Sequence, residues 1–153
     1  MYPCCQSNTL KMIYFAYFYA VLEYGIIFWG DSVESKRIFQ QQKRIIRIMT
    51  GSTLTISCKT LFKKLEILTL TSQYKFNTSV HNTNNRRKLK LHKPPERLTI
   101  YQRSVYYNSI NIYNKLPDDL AEIVSNKKCF LLQLKIYLTD KPFYSVEEYL
   151  NAQ

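Results

Sequence analysis

The chain has 153 residues, 46% of them hydrophobic, with 13 tyrosines, 8 phenylalanines and a formal net charge of +11. That length fits one modest domain or two very small ones, large enough to bury a real core. The three glycines, Gly25, Gly30 and Gly51, are too scattered for the clustered-glycine phosphate loops of nucleotide-binding folds, and four cysteines with no C-x-x-C pair do not suggest a disulfide framework.

The first element is MIYFAYFYAVLEYGIIFWG, residues 12–30. It is nearly all apolar and approaches the length of a membrane span. Glu23 interrupts it, Gly25 follows, and its aromatic rings are spread along the run instead of gathering in two interfacial belts. Lys11 is its only basic flank and there is no small-residue cleavage pattern, so a signal peptide fits poorly. The reading is a core helix from about Lys11 to Trp29, buried nearly all round, with a membrane anchor over residues 12–30 as the alternative.

GDSVES breaks that helix, and Asp31 or Ser32 can cap the next, with Glu34 in its first turn. In ESKRIFQQQKRIIRIMTG, a rotation of about 100° per residue puts Ile38, Gln42, Ile45, Ile46 and Met49 on one face. Lys36, Gln40, Lys43 and Arg47 fall opposite, with Arg37 and Arg44 on the flank. Gly51 supplies a C-terminal stop. SCKTLFKKLEIL predicts a third helix capped by Ser57, burying Leu61, Phe62, Leu65 and Leu68 and exposing Lys63 and Lys64.

The middle of the chain is different. TSQYKFNTSVHNTNNRRKLKLHKPPERL, residues 71–98, holds almost nothing that could form a core. From Asn77 to Arg97 it has no sustained period and it contains Pro94–Pro95, which predicts an extended basic linker. Residues 1–35 carry a net −2, residues 36–103 carry +14 and residues 104–153 carry −1, so all the excess positive charge lies within residues 36–103. Such a stripe attracts polyanions, meaning nucleic acid or an acidic membrane surface, or else is only a solvated basic surface. Basic residues interleaved with Tyr74, Phe76 and Tyr101 suit phosphate contact and base stacking. The candidate nucleic-acid-binding residues are Lys36, Lys43, Arg44, Arg47, Lys63, Lys64, Arg86, Arg87, Lys88, Lys90 and Lys93.

YQRSVYYNSINIYNKLP reads as strand through its alternating SINIY or as helix through its length and spacing, with helix favoured. NKKCFLLQLKIYL predicts a helix with Phe130, Leu131, Leu134, Tyr137 and Leu138 apolar, and SVEE places a capping box from Ser145 to Glu148 at the start of a last helix. The fold class expected is therefore all-α. It comprises a helical region over 12–76, the basic linker over 77–98 and a C-terminal helical region over 99–152.

Catalytic chemistry is hard to find. Asp118–Asp119 in LPDDL are the best metal-binding pair, yet acids after Leu116–Pro117 and before LAEI suit the first turn of a helix. His81 and His92 have no cysteine or serine partner by spacing. A zinc site from Cys58, His81, His92 and Cys129 would draw on ligands scattered over the chain, unlike the closely paired ligands of zinc modules. No catalytic, metal or cofactor site is expected.

EYGIIFWG, IFQQQKRIIRIMTG, SCKTLFKKLEIL, NIYNKLP and PFYSVEEYL, in this order between residues 12 and 150, resemble the C-terminal part of jockey-like non-LTR (LINE-type) retrotransposon polyproteins. The matching positions include Tyr24–Gly25, Trp29–Gly30, Lys43, Arg44, Arg47, Cys58, Leu61–Phe62, Asn114, Leu116–Pro117, Phe143–Tyr144–Ser145 and Tyr149–Leu150. In that family these stretches follow the reverse transcriptase palm as a helical thumb with a post-thumb tail. The resemblance implies a thumb-like bundle that grips template–primer backbones, RNA or DNA, without sequence preference. No small-molecule substrate is expected, a membrane partner is not favoured, and reduced cysteines without a disulfide framework point to an intracellular location. The family's fingers, its palm with the aromatic-Ala-Asp-Asp motif, and its endonuclease have no counterpart here. The family's Asn-Thr-Arg reads Asn84–Asn85–Arg86, and its apolar helical segment between the positions of Tyr74 and Phe76 is missing.

Overall fold

The computed structural model describes residues 7–53, 55–82, 95 and 104–151. Among these residues every regular element is helical and there is no strand. The first run consists of α1 (Ser7–Ile13), a wider π-helical stretch (Tyr14–Tyr19) and α2 (Ala20–Glu23), followed by α3 (Ile26–Trp29). Then come α4 (Ser35–Thr50), α5 (Cys58–Leu65), α6 (Leu70–Asn82), α7 (Val105–Asn114) and α8 (Asp118–Glu122). A 3-10 turn (Ile123–Ser125) leads into α9 (Lys127–Asp140), and α10 (Val146–Leu150) closes the described chain. The all-α class follows the sequence pattern, and residues 105–114 take the helical option.

The first run departs from the expected helix buried all round. Tyr14, Leu22 and Ile26 are buried and Phe18 packs against the core, a series spaced by four. In an α-helix each step of four over-rotates by about 40°; the wider turns of the π stretch reduce that drift and keep Tyr14, Phe18 and Leu22 on one face, while Ile26 reaches the core from α3. The consequence is that the other side, including Met12, Ile13, Tyr17, Val21 and Tyr24, stands exposed. Gly25, at φ +78°, turns the chain into α3. No helix among the described residues is long and apolar enough to cross a membrane.

Caps decide the next boundaries. Neither Asp31 nor Ser32 caps α4: the Asp31 carboxylate accepts from Asn108 Nδ2 at 2.8 Å, and the Ser32 carbonyl accepts from Ser35 Oγ at 2.6 Å. Gly51 ends α4 as expected, left-handed at φ +59°, its N–H directed at the Arg47 and Ile48 carbonyls. Ser57 holds the N-cap position of α5, but its side chain makes no cap bond. The Ser145 hydroxyl does accept from Glu148 N at 3.0 Å, while the Glu148 carboxylate reaches back to Tyr144 N at 2.6 Å and pairs with Lys59.

The largest departure is α6. Its sequence, LTSQYKFNTSVHN, is the stretch read as unable to form a core, yet Thr71, Ser72, Gln73, Tyr74, Lys75, Thr78 and Ser79 are all buried. The helix also continues to Asn82, past the Asn77 at which an extended linker was expected. It contacts α3, α4, α7 and α9, and so sits at the centre of the fold. Two physical features make this possible. Several polar groups at and before its start find partners: Thr69 Oγ1 donates to Phe143 O at 2.7 Å, Thr71 Oγ1 to Tyr144 O at 3.1 Å, and Lys75 Nζ lies 3.5 Å from Ser145 O, while the Gln73 amide and the Ser79 hydroxyl are buried without a partner among the described residues. Three consecutive carbonyls of the segment before α10 are thus held from one polar helix, which offsets part of the penalty for burying such groups.

The second feature is close approach. A Cβ on Gly30 would lie 2.4 Å from Cδ2 of Tyr74, whose ring is itself buried. Gly30→Ala is therefore expected to destabilise the fold by about 1–3 kcal/mol through overpacking. Urea unfolding should show a lower midpoint at unchanged slope, and a wild-type midpoint would refute the contact.

The core joins these parts. Phe39 of α4 stacks on Phe62 of α5 with ring centroids 6.2 Å apart and meets Tyr144 edge-on at 5.1 Å. The Tyr149 hydroxyl reaches the Lys115 carbonyl at 2.9 Å and the Ile112 carbonyl at 3.3 Å, tying α10 to the end of α7.

Candidate nucleic-acid interface

The orientation of α4 governs which cations face solvent. The buried residues are Phe39, Gln42 and Ile46, while Ile38, Ile45 and Met49 are only half-buried. The helix is therefore rotated toward Phe39 relative to the face expected from the sequence. Phe39 is the largest apolar group on α4, and its ring pulls that side against Phe62 and Tyr144. The solvent face becomes Arg37, Gln41, Arg44 and Ile48, with Lys36 and Gln40 also exposed.

This rotation separates the predicted cations into two groups. Lys36, Arg44 and Lys64 are exposed, as expected of phosphate-contacting residues. Lys43 and Arg47 turn inward. The Lys43 ammonium lies 4.4 Å from the Phe39 ring centroid and 4.4 Å from that of Tyr144, a cation–π bracket that also receives Lys59 at 4.9 Å from Tyr144. Arg47 is half-buried, and its Nε is buried without a hydrogen-bond partner among the described residues. Burial pushes the Tyr144 hydroxyl pKa up, with the Arg47 charge acting the other way. Lys43 and Arg47 are thus half-buried, Lys43 against the Phe39 and Tyr144 rings, and are less open to solvent than Lys36, Arg37 and Arg44.

Lys63 is exposed but paired with Asp140, whose carboxyl it holds below the usual carboxylate range through the hydrogen bond and its charge. The open groove beside it, about 430 Å³, is lined by Lys63, Glu66, Leu132, Lys135, Ile136, Thr139 and Asp140. Its cations and acids are mixed, so it does not concentrate positive charge. Arg86, Arg87, Lys88, Lys90 and Lys93 lie outside the described residues.

In the sequence Arg37 reads only as a flank residue of α4, and nothing there marks Lys59. Giving Phe39 its full weight in the helical projection would have exposed Arg37 and turned Lys43 inward. Asp118 and Asp119 are exposed acids in the first turn of α8, and no group of three or more metal-ligating side chains occurs among the described residues. Compared with family models, curated proteins and solved structures, the chain matches none.

Proposed function

We propose that this chain is the thumb and post-thumb part of a jockey-like non-LTR retrotransposon reverse transcriptase, and that it holds RNA or DNA backbones non-specifically without catalysing polymerisation itself. The observation that carries the reading is the charge distribution: +14 over residues 36–103 against −2 and −1 on either side. Exposed Lys36, Arg37, Arg44 and Lys64 supply its described part. Such contacts position a duplex through its phosphates and carry no sequence information. Support also comes from how the resembling segments meet. Phe39 of IFQQQKRIIRIMTG stacks on Phe62 of SCKTLFKKLEIL; Lys59 of the latter pairs with Glu148 of PFYSVEEYL; Tyr149 bonds to Lys115 of NIYNKLP. Segments that share a family order here share one core.

Fluorescence anisotropy over a salt series tests the reading. Non-specific affinity should fall at roughly 10⁻⁴ to 10⁻⁶ M at physiological salt, and each lost phosphate contact should flatten the slope of log K against log salt by about 0.9 on duplex DNA. Arg86→Ala, Arg87→Ala and Lys88→Ala together should weaken binding to all sequences alike. Lys43→Ala should leave the salt slope unchanged and lower thermal stability instead, because its ammonium lies against the Phe39 and Tyr144 rings. A salt-independent affinity, or one indifferent to the triple substitution, would reduce the basic stripe to a solvated surface.

A further inference from the structure

The outer face of the first helical run is apolar and uncovered. Tyr17 is 74% exposed, Tyr24 89% and Val21 72%, with Met12 and Ile13 beside them. Tyrosine rings of roughly 150–250 Å² each, added to those aliphatic groups, bring the face near the ~800 Å² per partner of a stable interface. It exceeds the ~300–600 Å² of the largest apolar patch on an ordinary monomer.

We propose that a second copy of this chain covers this face, antiparallel, in a two-fold symmetric dimer. The charge pattern favours that occupant. Two copies of a +11 chain repel each other, and the repulsion is centred on residues 36–103; residues 1–35 carry a net −2 and are where two copies approach at least cost. The same acids, Glu23, Asp31 and Glu34 against Lys11 alone, disfavour an anionic lipid surface, which recruits helices rich in lysine and arginine.

Register follows from the residues. Ala16 and Ala20 are exposed at the middle of the face, where small side chains let two backbones cross. Lys11 and Glu23 each lie six positions from Tyr17, and Ile13 and Val21 each lie four. An antiparallel copy crossing near Tyr17 therefore sets Ile13 against the second copy's Val21 and Lys11 against its Glu23, twice by symmetry. Neither Lys11 nor Glu23 has an ion-pair partner among the described residues. The dimer does not depend on the proposed nucleic-acid role.

Sedimentation equilibrium of the nucleic-acid-free chain across the micromolar range is the test. The mass should climb from 18.2 kDa toward twice that value. Tyr17→Glu should hold it at the monomer with an unchanged circular dichroism spectrum. Lys11→Glu alone should weaken association by about three- to tenfold, and Glu23→Lys added to it should restore the wild-type value. Should Tyr17→Glu disturb the fold, the charge-exchange pair still decides. A wild-type monomer throughout, a double exchange that restores nothing, or a monomer that instead sediments with phosphatidylcholine vesicles would overturn the proposal.

Discussion

Replacing Gln42 with leucine is expected to cost about 3–5 kcal/mol and to lower Tm by on the order of 10 °C. The side chain is fully buried and satisfies three groups at once. Its Nε2 donates to the Tyr14 hydroxyl at 2.9 Å and to the Leu68 carbonyl at 3.0 Å, and its Oε1 accepts from Leu70 N at 2.8 Å. The last two bonds fix the amide orientation, since a flipped amide would set NH₂ against an N–H and oxygen against a carbonyl. Leucine fills most of the volume but strands a hydroxyl, a carbonyl and an N–H in the core, each costing about 1–3 kcal/mol. Tyr14→Phe should cost less, about 1 kcal/mol, because Nε2 keeps Leu68. Urea or thermal unfolding of both variants decides the matter. A Gln42→Leu protein as stable as wild type would mean the network is not formed.

This glutamine shows what the sequence made legible. Helical spacing placed it on the inward face of α4 among isoleucines, and it is there. The spacing could not say what it bonds, because Tyr14, Leu68 and Leu70 come from elements 26 to 28 residues away. The opposite failure occurred at α6. Hydropathy cannot flag a helix whose buried positions are threonine, serine, glutamine and lysine. A local signal was present: Thr69 precedes Ser72 by three, and its hydroxyl accepts from Ser72 N at 3.1 Å as a helix N-cap. Gly30 was a second, since a glycine at a helix end often marks a surface that another backbone or ring approaches.

The first run is ambiguous in sequence for a different reason. Its residues are apolar in every direction, so no period distinguishes a side packed on Leu22 and Ile26 from one that faces outward. At the candidate interface, the cation count was readable and the direction of each cation was not. Lys43 and Arg47 fall on the same side of α4 as Lys36 in projection, but both are half-buried, and the Lys43 ammonium lies over Tyr144, about 100 residues later in the chain.

The second large effect is expected at Lys75. Its side chain is 1% exposed, with the ammonium 4.3 Å from the Phe143 ring centroid, 4.2 Å from that of Tyr149 and 3.5 Å from Ser145 O. Burial lowers its pKa to about 7; the Glu148 carboxylate acts in the opposite direction without cancelling it. In the unfolded chain the value returns to about 10.4. Between these two values the unfolded chain binds a proton that the folded chain does not, so stability rises as pH increases from about 7 to about 10. Below about pH 7 both states are charged and the full burial penalty is present. The ring faces and the Ser145 carbonyl offset part of that penalty. Lys75→Met keeps the length and removes the charge, so it should stabilise the fold by about 1–4 kcal/mol at pH 6. The advantage should shrink toward zero by about pH 10, where wild-type Lys75 is neutral in the folded state and about a quarter neutral in the unfolded one. Unfolding free energies of both proteins across that range provide the measurement. A Lys75→Met protein less stable than wild type at pH 6 would show instead that the charged ammonium, held between two rings, is what docks residues 143–149 on α6.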